Sequence, residues 1–349
     1  MPIDDTQFQA LKKRARFFIQ KQENDECLRE DFLNSLLALP LTIEQRIELL
    51  DQQEGNGSTL GMTVARYGHE AAVQQYLVHH SIILSGLHQD GKDILLALAL
   101  LMKKTATGWT LGHYIAHYQS SQVVQQYIAL LIHLLQAEAS GHNIMELCKL
   151  QTNDGWTVGH LIARYHDTAT MQAYFKLLND LLAAGTPAQD ILELFKLQRN
   201  DGWTVGHQIA CYHDATTAQA YFKLLNDLLA AGIPAQDILE LFKPQMQTSD
   251  GRTVGHIINS CQNAAMHSYY HKIEKEVEVN QKYAHTHFHG ASFFSAEFAK
   301  TFSSSYPKRN PSSTEQRWSI NSADPLSESK SESDAFLLDL KKDTPIFSL

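Results

Sequence analysis

The sequence predicts an all-α fold: a helical array of about five repeated units, three helices in each unit of about 47 residues, closed by helical caps. Three observations predict it. One phrase recurs, GSTLGMTVARY from Gly57, GWTLGHYIAHY from Gly108, GWTVGHLIARY from Gly155, GWTVGHQIACY from Gly202 and GRTVGHIINSC from Gly251, at intervals of 51, 47, 47 and 49 residues. Between the phrases the apolar residues recur with helical spacing, and no segment alternates as a strand would. Residues 152–198 and 199–245 differ at only eight of 47 positions, so one unit is a copy of the other. Repeats of this length stack as supersecondary units that each bury a face against the next.

Taken in chain order, residues 1–53 carry helical patterns (Phe8, Leu11, Ala15, Phe18; Phe32, Leu36, Leu37; Ile43, Ile47, Leu50) without the phrase, and are expected to cap the array. The array covers 54–265. In its central unit Asn153-Asp154-Gly155 signals a turn. Thr157 follows as an N-cap for a short helix, VGHLIARY. A second helix is expected from about Thr168 to Ala184, with Met171, Tyr174, Phe175, Leu178, Leu181 and Leu182 on one face and Gly185 as its stop. A third starts at Thr186-Pro187-Ala188-Gln189, read as a capping box with proline at the first helical position, and buries Ile191, Leu194 and Phe195. Ile233 replaces that capping threonine in the next copy, a change expected to weaken the start by about 1 kcal/mol. Residues 266–302 look helical again. From 303 to 349 a tail opens with eleven serines and three prolines in 31 residues, a composition expected to stay disordered.

At these residues the chain resembles a known family. Thr157 to Asp167, TVGHLIARYHD, is similar to the T-P-L-H-x-A-A-x-x-G-H opening of an ankyrin repeat, preceded by its D-G turn at Asp154-Gly155. Thr157, His160 and Ala163 match, as do Thr110, His113 and Ala116, and Thr204, His207 and Ala210. The last copy keeps Thr253 and His256 but has Asn259; the first keeps Thr59 and Ala65 but has Met62. A Val-Gly or Leu-Gly pair replaces the proline and leucine, and each unit runs about fourteen residues beyond the ankyrin period, where the second helix lengthens and a third is added. The resemblance implies an ankyrin-like solenoid over 57–265 whose first helices line the concave face and whose histidines hold the turns in register.

Composition narrows the function. Apolar residues are 44% and charged residues 19%, enough to bury a core. A formal charge of −9, from 38 acidic against 29 basic side chains, disfavours nucleic-acid binding. Cys27, Cys148, Cys211 and Cys261 are too scattered for a disulfide framework and fit a reducing compartment. No secretory signal peptide and no membrane-spanning run is legible, so a cytoplasmic protein is expected in the producing cell. No nucleophile elbow, phosphate loop, dinucleotide fingerprint or kinase set occurs. Neither a catalytic residue nor a cofactor is expected. Repeat histidines one unit apart stand too far from one another to share a metal ion, and read as scaffold. His285, His287 and His289, with His267 and His271 at i, i+4, offer the one metal-like spacing and carry the enzyme alternative, with the repeats recruiting substrate. Cys211 and His213 read as drift rather than a nucleophile pair.

The expected site is therefore a surface for a protein partner. Positions that differ between the twin units, Leu161/Gln208, Arg164/Cys211, Thr168/Ala215, Ala169/Thr216 and Met171/Ala218, gather on the first helix and the start of the second. With His117, Tyr118, Tyr165 and Tyr212 they point to a partner-binding groove built from Leu161, Arg164, Gln208 and Cys211. Trp109, Trp156 and Trp203 follow the turn glycines. They either form an exposed aromatic stripe there or pack on the third helix of the preceding unit, against Leu194 or Leu197; packing is the default for so large an aromatic. Glu328, Glu332 and Asp334 precede an apolar end with Ile346 and Phe347, which is similar to the translocation signals of Dot/Icm type IV effectors of intracellular bacteria. That resemblance implies delivery into a host cell to bind a host protein; a structural scaffold inside the producing cell is the other non-enzymatic reading.

Overall fold

The computed structural model describes residues 3–20, 26–137, 139–242 and 247–260 and positions 267, 268, 271 and 275. All belong to the first of the two units into which the chain divides, Met1–Thr286; the second, His287–Leu349, lies outside the described residues, and with it the predicted tail.

Among the described residues the protein is all-α, with sixteen helices, no strand and one isolated antiparallel bridge between Gln53 and Thr59. The first three are α1 (Asp5–Gln20), α2 (Glu26–Ala38) and α3 (Ile43–Leu50). Four triplets follow: α4 (Leu60–Tyr67), α5 (Glu70–Gln89) and α6 (Leu95–Met102); α7 (Leu111–Tyr118), α8 (Ser121–Gln136) and α9 (Gly141–Lys149); α10 (Val158–Tyr165), α11 (Thr168–Ala183) and α12 (Ala188–Lys196); α13 (Val205–Tyr212), α14 (Ala215–Ala230) and α15 (Ala235–Glu240). The last is α16 (Val254–Ser260).

Packing sorts these helices into rows. The first helices pack in sequence, α1 on α4, then α7, α10, α13 and α16. The second helices do the same from α2 through α5, α8 and α11 to α14, and the third from α3 through α6 and α9 to α12. Residues 1–53, expected only as a cap, thus add one helix to each row although they lack the phrase. Their Phe32, Leu33 and Leu36 are buried as deeply as the core residues of the phrase-bearing units.

Each unit enters through its turn. Gly155 has φ +81°, which glycine adopts freely, and a Cβ there would stand 2.7 Å from Arg199 Cα in the following turn. The turn closes on itself, Thr152 N–H donating to the Trp156 carbonyl at 2.9 Å. It is also strung to its neighbours: Asn153 N–H donates to the Thr107 carbonyl (3.0 Å), and Asn200 N–H to the Asp154 carbonyl (3.1 Å). Thr157 then caps α10, accepting from the His160 N–H at 3.2 Å, while His160 Nδ1 accepts from Thr157 N–H. This is a capping box with histidine in place of the usual Glu or Gln.

The glycine of the TVGH run has a packing reason. Fifteen residues on, the second helix carries Tyr76, Tyr127, Tyr174 and Tyr221, all fully buried beneath the first helix. A Cβ on Gly112 would stand 2.5 Å from the Tyr127 oxygen, and one on Gly159 2.8 Å from that of Tyr174. Where the ankyrin pattern has leucine, this chain has a tyrosine reaching up from below.

Two sequence expectations are corrected. The third helix has no capping box: Pro187 itself is the N-cap of α12, without a side-chain cap, and the Thr186 hydroxyl is buried against Gly141 with no hydrogen-bond partner. The Thr186/Ile233 exchange therefore swaps one buried side chain for another. Met171 and Ala218 are both fully buried, so that difference between the twins is a packing change and not part of a groove.

Candidate functional site

The repeat histidines resolve into joints. His113 Nδ1 accepts from the Thr110 hydroxyl (2.7 Å) and backbone N–H (3.2 Å), which leaves Nε2–H to donate to the Trp156 carbonyl of the next unit at 2.9 Å. His160 does the same to the Trp203 carbonyl (3.1 Å), and His207 to that of Arg252 (3.3 Å). Burial holds the imidazoles neutral, with pKa pushed down to about 4 at His113 and about 3 at His160. A second set of joints runs the other way and was not legible as such. His166 Nε2–H donates to the Ala116 carbonyl (2.8 Å), His213 Nε2–H to that of Ala163 (2.9 Å), and the Gln119 amide to that of Ala65 (2.8 Å). His213 is thus tied through Nε2 to the neighbouring unit.

The expected surface residues divide. Leu161 and Gln208 are each 1% exposed and belong to the core, not to a groove. Each sits on a first helix held between the first helices of two neighbouring units, and its position on that helix faces inward. The polarity of Gln208 read as exposure, yet its Oε1 is buried without a hydrogen-bond partner. Tyr118, Tyr165 and Tyr212 are 45%, 49% and 47% exposed, while His117, Arg164 and Cys211 are half-buried beside them.

These tyrosines form a ladder with the tryptophans. Within each unit the indole lies beside the tyrosine ring: Trp109–Tyr118 at 6.3 Å, Trp156–Tyr165 stacked at 6.3 Å and Trp203–Tyr212 stacked at 6.2 Å. The residue preceding the tyrosine in the previous unit also approaches the ring. The Arg66 guanidinium stands 6.0 Å from Tyr118, the His117 ring 4.8 Å edge-on to Tyr165, and the Arg164 guanidinium 3.8 Å over Tyr212. Arg199 lies 3.6 Å over the Trp156 ring. The indoles are half-buried and pack against the core, which includes Leu194, and their ring contacts include side chains of their own first helix and, at Trp156, Arg199 of the next turn.

Charge along the ladder is uneven. Arg199 and Arg252 are paired with Asp201 and Asp250 at 2.7 Å. Arg66 and Arg164 touch rings and pair with no carboxylate among the described residues. Beside Arg66 opens a cleft of about 170 Å³ of mixed lining, with Ile19, Met62 and Ala106 beside Ser58, Thr105 and Tyr114.

For the metal reading, His267 and His271 bring their Nε2 atoms to 3.1 Å, and His285, His287 and His289 lie outside the described residues. Among the described residues no group of three or more His, Cys, Asp or Glu side chains could hold a metal ion, and no helix is long and apolar enough to cross a membrane.

No family model and no curated protein matches the chain. Among solved structures it is similar to the complex of a predatory endopeptidase from Bdellovibrio bacteriovorus with an immunity protein, at 14% identity and a TM-score of 0.37, over 75% of this chain and 97% of that one. A likeness of that size carries no argument.

Proposed function

We propose that the protein is a non-enzymatic interaction module, an ankyrin-like helical solenoid that binds a protein partner through the face carrying Tyr118, Tyr165, Tyr212 and the flanking Arg66 and Arg164. In an ankyrin-like array this first-helix face is the concave one. One observation carries the reading: three tyrosines, almost half exposed in three successive units, are braced by indoles and cations instead of being folded away. Tyrosine, tryptophan and arginine are the side chains that concentrate binding energy at interfaces, and rings already held in place lose little entropy on docking. The acidic residues before the apolar C-terminus support delivery of this module into a eukaryotic host cell, where the partner is a host protein.

The test uses the full chain as bait, with Arg164→Glu and Tyr165→Ala as comparisons. Each substitution is expected to weaken capture of the partner by tenfold or more, roughly 1.4 kcal/mol, with the helical circular-dichroism signal unchanged. Retention of every partner by both variants sinks the proposal. A translocation reporter fused to the chain with and without residues 326–349 tests delivery separately.

A further inference from the structure

The spacing of the ladder restricts what lies along it; this step rests on the interaction reading above and names the partner's chemistry. First helices packed side by side stand about 8–10 Å apart. Tyr118, Tyr165 and Tyr212 occupy equivalent places on α7, α10 and α13, so the rings repeat at that interval. A polyproline II strand has three residues per turn and rises about 3.1 Å per residue, or about 9 Å per turn, so every third side chain returns to the same side at the step of the ladder. A β-strand covers a similar distance in three residues but turns its third side chain to the opposite face. An α-helix keeps its carbonyls bonded internally. No hydrogen bond ties the hydroxyls of Tyr118, Tyr165 and Tyr212 to the described residues, and the open backbone of a polyproline II strand supplies the acceptors they lack.

Charge fixes the register. Arg66 and Arg164 stand two units apart on the first-helix row, about 16–20 Å by the same helix spacing. Six residues of polyproline II cover about 19 Å. Between the two arginines stands His117, half-buried and packed edge-on against Tyr165, with its Nδ1 enclosed. The row therefore reads cation, neutral, cation. The cleft of about 170 Å³ beside Arg66, lined by Ile19, Met62 and Ala106 as well as by Ser58 and Tyr114, leaves room for the first of two acidic groups next to the guanidinium.

We propose that the ladder binds an extended acidic, proline-rich segment of its protein partner in the polyproline II conformation, with prolines every third residue against the tyrosine and tryptophan rings and carboxylates six residues apart on Arg66 and Arg164. Aromatic grooves take such segments because the strand is already extended and little entropy is lost.

The experiment is a fluorescence-anisotropy titration of the full chain with four labelled peptides. The first carries prolines every third residue and glutamates six apart. The second moves the glutamates to four apart, the third replaces them by lysine, and the fourth replaces the prolines by glycine and serine. The first is expected to bind with a saturable, salt-weakened curve. The second and fourth should bind at least about tenfold more weakly, and the third not at all. Arg66→Gln and Arg164→Gln should each cost the first peptide about tenfold while thermal melts stay unchanged. Equal binding of all four peptides, binding of none, or indifference to both glutamine variants overturns the inference. If capture of the partner still requires Arg164 and Tyr165 in any of those cases, the interaction reading stands and only the partner's chemistry is wrong.

Discussion

Gly159 and Tyr174 show how one side chain dictates another across the fold. The tyrosine is fully buried, its oxygen has no hydrogen-bond partner, and it fills the space a Cβ on Gly159 would need. Gly159→Ala is therefore expected to destabilise the protein by about 1–3 kcal/mol through overpacking. Gly206→Ala should cost less, because the corresponding gap to Tyr221 is 3.2 Å. Tyr174→Phe should be close to neutral, since it removes a buried hydroxyl that bonds nothing. Urea midpoints of the three variants check the order. The histidines set the pH response. His113 and His160 are held near 4 and 3 in the folded protein against 6.5 when unfolded, so the unfolded chain binds the extra protons first. Stability is expected to be complete above about pH 6.5 and to fall progressively as the pH drops towards 4. His160→Gln should flatten that decline in urea midpoints measured from pH 7.5 to 4.5. An unchanged slope would show that His160 is not held neutral.

At the scale of the element, most boundaries were legible. The phrase supplied a turn glycine, a threonine cap and the first helix, and Gly185 ended the second. There Thr186 N–H donates to the Leu181 carbonyl at 3.0 Å and Gly185 N–H to that of Leu182 at 3.1 Å, the pair of hydrogen bonds of a Schellman stop. Such signals are local, made of bonds between residues a few places apart, and so they survive in the sequence. Thr186 shows where that logic ends. Its sequence context is that of a cap, but tertiary packing turned the hydroxyl inward against Gly141. Two substitutions separate the cases. Thr157→Ala should cost about 1–2 kcal/mol, because it removes the cap and one hydrogen bond to His160 Nδ1. Thr186→Ala should cost under about 1 kcal/mol, the value of a lost buried methyl without a lost bond. Thermal melts of both variants compare the two.

For the whole molecule, the rows of first, second and third helices begin before the repeat phrase does. Phe32 and Leu33 are fully buried on α2, which packs on α5, and α1 and α3 head the other two rows, so removing 1–53 would bare the start of all three. The shortened chain is expected to melt at a lower temperature and to aggregate, read by circular dichroism and light scattering, as arrays do without a covered end. The ladder belongs to this scale too. Its residue types were legible, Arg164, Tyr165 and Trp156 among them, but Leu161 and Gln208 were placed with them because a polarity swap reads as exposure. The all-α class, the recurring turn, the threonine caps of the first helices and the scaffold role of the histidines followed from the sequence alone, since periodicity and such capping are written within a dozen residues. Only the tertiary structure decided that the N-terminal helices join the rows, that Gln208 is buried, and that Arg164 covers Tyr212 of the next unit. Those outcomes depend on which neighbour arrives from about 47 residues away, and burial is a property of the neighbour as much as of the residue.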